Sequence, residues 1–163
     1  MGDVGVDRFR EIFRAFPTGL TVVTCVDENA VPHGMTCNAV SAVSLRPALL
    51  LVCLDERART LGAVRRSGAF AVNFLAEGAE AVAELFAGKS DTKFAGLSWE
   101  TGPAASPILS EWTAAYAVCR VVREIQAGDH SVLLGRVVAG AASGRPPLLH
   151  DPAASLPTGR TAS

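Results

Sequence analysis

Charge imbalance, long apolar runs, paired cysteines and a dinucleotide-binding glycine motif are all missing from this 163-residue chain, and each absence removes a class of function. Its 15 Lys and Arg stand against 16 Asp and Glu, a formal charge of -1. No single-sign field is available to draw in nucleic acid or anionic lipid, so neither is expected as a partner, and any anion must be held by local groups. No apolar run reaches the roughly 18 residues a membrane span needs, and Asp3 stands where a leader would be basic. The protein therefore reads as soluble and cytoplasmic. Cys25, Cys37, Cys53 and Cys119 form no C-x-x-C pair and no zinc spacing with the three histidines, so no metal is expected. Cys25, Cys53 and Cys119 read as small buried hydrophobes in a reducing compartment; Cys37, in a polar strand, is left open. No G-x-G-x-x-G follows a first strand, which excludes a Rossmann domain, and no serine or cysteine nucleophile with a paired base stands out.

What is present reads as one domain over residues 1–150, large enough to bury about two-thirds of its unfolded surface. Val6, Phe9, Ile12, Phe13 and Phe16 recur at helical spacing opposite charged residues, and Pro17-Thr18-Gly19 ends that helix. Residues 20–26 are a β-branched strand, 27–30 a turn, and 32–44 a second strand with small hydroxyl and amide residues where large apolar ones would be usual. Arg46-Pro47 breaks it, and residues 48–54 read as a strand buried on both faces. Leu61 and Val64 begin a short helix stopped at Ser67-Gly68; residues 69–75 form another buried strand, and Val82, Leu85 and Phe86 mark a further helix. The long loop 88–105 has the length of a functional one. Residues 114–125 and 130–141 form a hairpin around Ala127-Gly128-Asp129, and the tail from Gly144 onward, with residues 151–163 disordered, is expected to fray. About six strands in sequential hairpins with short helices describe an antiparallel barrel, not an alternating parallel sheet.

Four segments carry chemistry. In an extended strand Thr36, Asn38 and Val40 share one face while Cys37, Ala39 and Ser41 share the other, so one face can meet a flat ligand; an edge strand facing water fits the same pattern. Arg57, Arg59 and Thr60 open a helix after a strand, either as an anion site or as a solvated start paired with Asp55 and Glu56. Lys93 and Phe94 lie in a loop where a lone lysine is usually only solvated. Gly128-Asp129-His130 makes the turn of the last hairpin.

Taken in order, these segments resemble the flavin reductases of two-component monooxygenases. The likeness is carried by Phe16-Pro17-Thr18-Gly19-Leu20-Thr21-Val22-Val23-Thr24, Gly34-Met35-Thr36-Cys37-Asn38-Ala39, Ala42-Val43-Ser44-Leu45-Arg46-Pro47, Asp91-Thr92-Lys93-Phe94 and Gly128-Asp129-His130. The resemblance implies a mainly β (α+β) fold, an antiparallel split β-barrel with Greek-key-like topology and short peripheral helices. It implies NADH or NADPH as hydride donor, FAD or FMN as acceptor, a homodimer, and a flavin-dependent monooxygenase that receives reduced flavin by diffusion. It also implies roles. Met35, Thr36, Cys37, Asn38, Ala39 and Val40 would surround the flavin ring; Cys53, Leu54 and Asp55, opening the segment that leads to the phosphate, would also bind the cofactor; Arg59, Thr60 and Lys93 would meet phosphate; Phe94 would pack at the rim. His130 would orient the nicotinamide, and His150, where the family tends to have tyrosine, would assist. Ala39 and Ala58 stand where the family often has serine, so hydroxyls near the flavin nitrogen and the phosphate are missing. A non-catalytic flavin- or haem-binding module, with His33 or His150 as axial ligand, is the competing reading; a pyridoxamine-phosphate-oxidase-like enzyme lacks its arginine-rich signature here.

Overall fold

Asn38 and Ala39 divide the polar stretch 32–44 into two strands, and that division shapes the molecule. The computed structural model describes residues 2–152. In chain order the elements are α1 (Val6–Phe13), β1 (Thr18–Gly19), β2 (Thr21–Val26), β3 (Pro32–Cys37), β4 (Val40–Leu45), β5 (Ala48–Asp55), α2 (Arg59–Ser67) and β6 (Ala69–Leu75). They continue with α3 (Glu80–Ala87), β7 (Glu100–Thr101), β8 (Pro107–Ile108), β9 (Thr113–Ala127), β10 (His130–Ala142) and β11 (Leu149–His150). Seven strands form one antiparallel sheet in the order β3-β2-β6-β9-β10-β5-β4. This is the mainly β, α+β class expected.

β3 and β4 lie on opposite edges of that sheet yet are joined by two residues. A flat sheet of this order would hold its edges about 29 Å apart, whereas three extended residue steps span at most about 11 Å. The sheet must curl. At the joint the Cys53 amide donates to the Ala39 carbonyl at 3.0 Å and the Cys37 thiol points to the Cys53 carbonyl at 3.5 Å, while β3 and β4 do not pair with each other. The edges meet and the ladder stays open. The single strand 32–44 is thus corrected to two, and strict alternation from Thr36 to Ser41 fails because Asn38 and Ala39 leave the strand geometry.

Inside the curl lie Val23, Val52, Leu54, Leu61, Val64, Phe70, Val72 and Leu133, with α2 supplying Leu61 and Val64. Gly68 stops α2 in the left-handed region, φ 67°, where its amide reaches the Val64 carbonyl at 2.8 Å. β6 is buried on both faces as expected, but β5 alternates, with Leu50, Val52 and Leu54 inward and Leu49, Leu51 and Cys53 half-buried. Cys53, expected to be a buried hydrophobe, is instead half-buried. Cys25 and Cys119 are fully buried, and burial pushes both thiols up to about 12.

Two further expectations change. Residues 144–150 do not fray: β11 pairs with β1, Leu148 is buried, and the Leu148 and Leu20 amides reach the Leu75 and Leu148 carbonyls at 2.8 and 3.0 Å. Prolines there hold an extended edge segment that the sheet receives; the rest of the predicted tail, 153–163, lies outside the described residues. α1 ends at Phe13, and none of its residues is buried: Val6, Phe9, Ile12 and Phe13 are each more than half exposed.

One buried polar residue ties layers together. Asn73, fully buried in β6, donates to the Val22 carbonyl and the Thr24 hydroxyl at 3.2 and 3.0 Å and accepts the Leu109 amide at 2.9 Å. Asn73→Ala strands these partners in the dry interior and is expected to lower unfolding free energy by about 1 to 3 kcal/mol, read from the denaturant midpoint at constant slope. A midpoint within error of the parent's would show that the network holds nothing.

Candidate functional site

A cleft of about 980 Å³ opens where β3, the start of α2 and the end of α3 converge. Its walls are residues 31–36, Asp55 with 57–60, and 86–91 with Lys93 and Phe94. Of the residues singled out from sequence, Met35, Thr36, Asp55, Arg59, Thr60, Lys93 and Phe94 are brought together here.

α2 begins at Arg59 behind Ala58, which offers no capping side chain, and its first turn carries no acid. Its first N–H groups and the positive end of its dipole therefore stand open toward the cleft. Thr60 sits in that turn, 4 % exposed. The two arginines differ. Arg57 folds back on the Asp55 carboxylate, with 2.7 Å from its amide and 2.8 and 3.1 Å from its guanidinium, and these bonds hold the Asp55 carboxyl well below the usual range. Arg59 instead reaches across the cleft to the Lys89 and Ser90 carbonyls at 3.0 and 3.2 Å and pairs with the Asp91 carboxylate.

Lys93 is not simply solvated. Its Nζ donates to the Phe86 carbonyl at 2.7 Å and the Gly34 carbonyl at 3.2 Å, and lies 5.9 Å from the Phe86 ring centre. The ammonium closes the C-terminal turn of α3 against β3, and burial, helped by the Arg59 charge, pushes its pKa down. The Thr36 hydroxyl is spent likewise on the Ala83 carbonyl at 2.6 Å. Phe94 packs edge-on against Phe86 at 5.0 Å and against Trp99 at 5.8 Å.

The remaining candidates stand elsewhere. Cys37 and Leu54 face the core, and burial pushes the Cys37 thiol up to about 11. Cys53 and Val40 are half-buried, while Asn38 and Ala39 are exposed at the joint. Asn38 lines a separate cavity of about 290 Å³ with Phe9, Phe13, Phe16 and Thr18. His150 pairs with Thr18 across the β1–β11 ladder. His130 does not line the cleft; it stands opposite the cleft-lining Asp55 in the β10–β5 ladder, with Nδ1 2.8 Å from the Asp129 carboxylate.

Sequence reading missed Phe86, Asp91 and the contact between His33 and Asp27. Asp27 caps its own turn through the Asn29 and Val31 amides at 2.9 and 3.0 Å and takes His33 Nε2 at 3.0 Å. An acid at a hairpin turn with a histidine on the returning strand was the available signal. That contact commits Nε2, one of the two ring nitrogens through which an imidazole can hold a metal.

The model of the flavin reductase like domain matches residues 13–155. The chain belongs to the flavin reductase family. It is 44% identical over 140 residues to a flavin reductase (NADH) of Kitasatospora aureofaciens, covering 85% of this chain and 73% of that protein. It is 39% identical over 130 residues to the reductase subunit of a flavin-dependent monooxygenase of Rhodococcus jostii, covering 80% of this chain and 66% of that one. Against a probable flavin reductase of Rhizobium meliloti, 42% identical over 83% of this chain, it spans 43% of the relative's length. The fold superposes on the NADH:FAD oxidoreductase of Streptomyces globisporus, solved with NAD and FAD fragments, with a TM-score of 0.84, 31% identity and 94% of each chain covered. Among the described residues no helix is long and apolar enough to cross a membrane.

Two outcomes test this geometry. A Cβ on Gly34 would come within 2.6 Å of the Phe86 ring and 3.3 Å of Phe94, and Phe86 is 1 % exposed. Gly34→Ala is therefore expected to cost about 1 to 3 kcal/mol in chemical denaturation, and an unchanged midpoint would contradict that packing. Asp27 has a carboxyl pulled below its ordinary 3.8, first by the His33 hydrogen bond, and Glu56 below 4.5, first by Ser131. Because the unfolded chain takes up protons first, this stabilisation is complete above those values and is lost as pH falls through and below them. Asp27→Asn should flatten that acid limb in a series of Tm values; identical slopes would refute the assignment.

Proposed function

We propose that the chain uses NADH or NADPH to reduce free FAD or FMN by hydride transfer and passes the reduced flavin to a separate monooxygenase. The observation that carries this is the uncapped start of α2, with Arg59 and Thr60, opening into a cleft of dinucleotide size in a chain of the flavin reductase family. The relatives named as NADH flavin reductase and as monooxygenase reductase subunit support donor and recipient alike.

In this reading Arg59, Thr60 and the open α2 amides hold the phosphate end, and Lys93 keeps the α3 wall in place for it. Met35, Thr36, Asn38, Ala39 and Val40, with the β5 segment of Cys53, Leu54 and Asp55, surround the ring; Cys37 and Leu54 act through their backbone because their side chains are buried. Flavin, when bound, supplies the two-electron acceptor. His130, oriented by Asp129, meets the nicotinamide through Nε2, and His150 assists. Hydride transfer needs no protein acid at its central step, so His130 positions the donor.

A homodimer is part of the proposal. α1 exposes Phe9, Ile12 and Phe13, and the β4 edge exposes Val43 and Leu45, which is 91% exposed, an apolar surface that a second copy would cover. The cytoplasmic setting rests on four free thiols, which suit a reducing compartment.

Anaerobic titration of NADH with each flavin, followed by flavin bleaching, tests the activity, and no bleaching with either flavin would end the proposal. His130→Ala should raise KM for NADH about tenfold, the worth of one well-placed polar contact, and leave KM for flavin nearly unchanged; equal changes would remove its role. Thr60→Ala should weaken FMN binding by about 1 kcal/mol. An unchanged FMN titration would remove Thr60 from the phosphate site.

A further inference from the structure

We propose that Asp91 is a built-in competitor for the flavin phosphate, its carboxylate holding the Arg59 guanidinium until a phosphate displaces it. The inference rests on the flavin reading above and adds a residue that sets which flavins are favoured and how tightly.

Arg59 lies at the first position of α2, a helix that no side chain caps, on one wall of the cleft. Its charge is not idle. The Asp91 carboxylate, also a cleft-lining group, reaches it from the opposite wall. A carboxylate and a phosphate monoester are the same kind of partner for a guanidinium, an oxyanion able to accept two N–H bonds, so both cannot use that edge at once. Phosphate entry must replace the Asp91 contact.

The loop does not depend on that contact for its position. Arg59 also holds the Lys89 and Ser90 carbonyls. The Ser90 hydroxyl accepts the Thr92 amide at 3.1 Å, and Lys93 is anchored at the Phe86 and Gly34 carbonyls. Asp91 therefore sits on a segment pinned from both sides, and its side chain can swing away without the wall dissolving. The pair is exposed, 56% for Arg59 and 78% for Asp91, so water and salt weaken it enough for a dianionic phosphate to win. Affinity for phosphorylated flavin is lowered, and riboflavin, which lacks the phosphate, is unaffected. For an enzyme that must give up reduced flavin after each cycle, the pair lowers the apparent affinity by the fraction of chains in which Arg59 is already held, without disturbing the ring site.

The test compares FMN and riboflavin by fluorescence titration on the full chain, on Asp91→Asn, and on the same change in an Arg59→Gln background. Asp91→Asn is expected to tighten FMN about threefold to fivefold, the scale of an exposed ion pair, and to leave riboflavin unchanged. In the Arg59→Gln background the gain should vanish, because nothing remains to compete for. An unchanged FMN constant, equal tightening of both flavins, or an equal gain without Arg59 would each overturn the competition. If the parent chain binds neither flavin, the flavin reading fails and takes this inference with it.

Discussion

Two residues connecting opposite edges of one sheet are the constraint from which the rest follows. With Asn38 and Ala39 as the only link between β3 and β4, the seven strands have no flat arrangement, and the curl seats β3 beside the end of β5. The start of α2, which leaves β5 at Asp55, is thereby placed against β3, and α3 closes the third side through Thr36 and Lys93. The cleft exists because the sheet cannot be flat. Its polar wall residues are committed to holding that shape: the Thr36 hydroxyl and the Lys93 ammonium both satisfy backbone carbonyls of α3.

A chain with a formal charge of -1 has to build any anion site locally, and the arginines show how. Arg57 is held by Asp55, Arg65 by Glu56 and Glu124, and Arg66 by Glu28. Arg65 and Arg66 tie α2 to other segments while Arg57 pairs within its own turn, all near the surface, where ion pairs are worth little individually. Arg59 differs in place, not in kind: its acid comes from the facing wall of the cleft, beside amides that no side chain caps. In the proposed phosphate site the fixed N–H groups would supply the permanent attraction, and the arginine would add one shared with Asp91.

Local signals were legible where the structure depends on neighbours in sequence. Gly68 stops α2 as a glycine after a basic turn should, and Gly128 turns the β9–β10 hairpin where alternating strands flank it. The ordered motifs named the family because their residue types and order can be read without knowing what each pairs with. What was not legible depends on distant partners. No pattern in 32–44 shows that β3 and β4 pair with different strands, and no local signal shows that Pro146 and Pro147 dock beside Glu77 and Ala76, since prolines read locally as breakers. Lys93 looked solvated because the two carbonyls that hold it lie 7 and 59 positions away. The outer face of β5 looked buried because an apolar run cannot say whether anything covers its second side.

The split of the candidate residues into two groups has a physical reading of its own. The phosphate-end residues gather in the large cleft, whereas Asn38 faces the smaller cavity beneath α1 and His150 pairs with one of its lining residues, Thr18. That cavity is roofed by Phe9, Phe13 and Phe16, all more than half exposed, and an isolated helix of this length with no buried residue has little to hold it down. Under the proposed dimer, the copy that covers α1 would also fix the roof over Asn38, so packing between chains and the shape of the ring end would be set together. Under the same proposal the chain on its own would complete the half of the site that grips phosphate, and the pair would complete the half that admits and releases a flat ring.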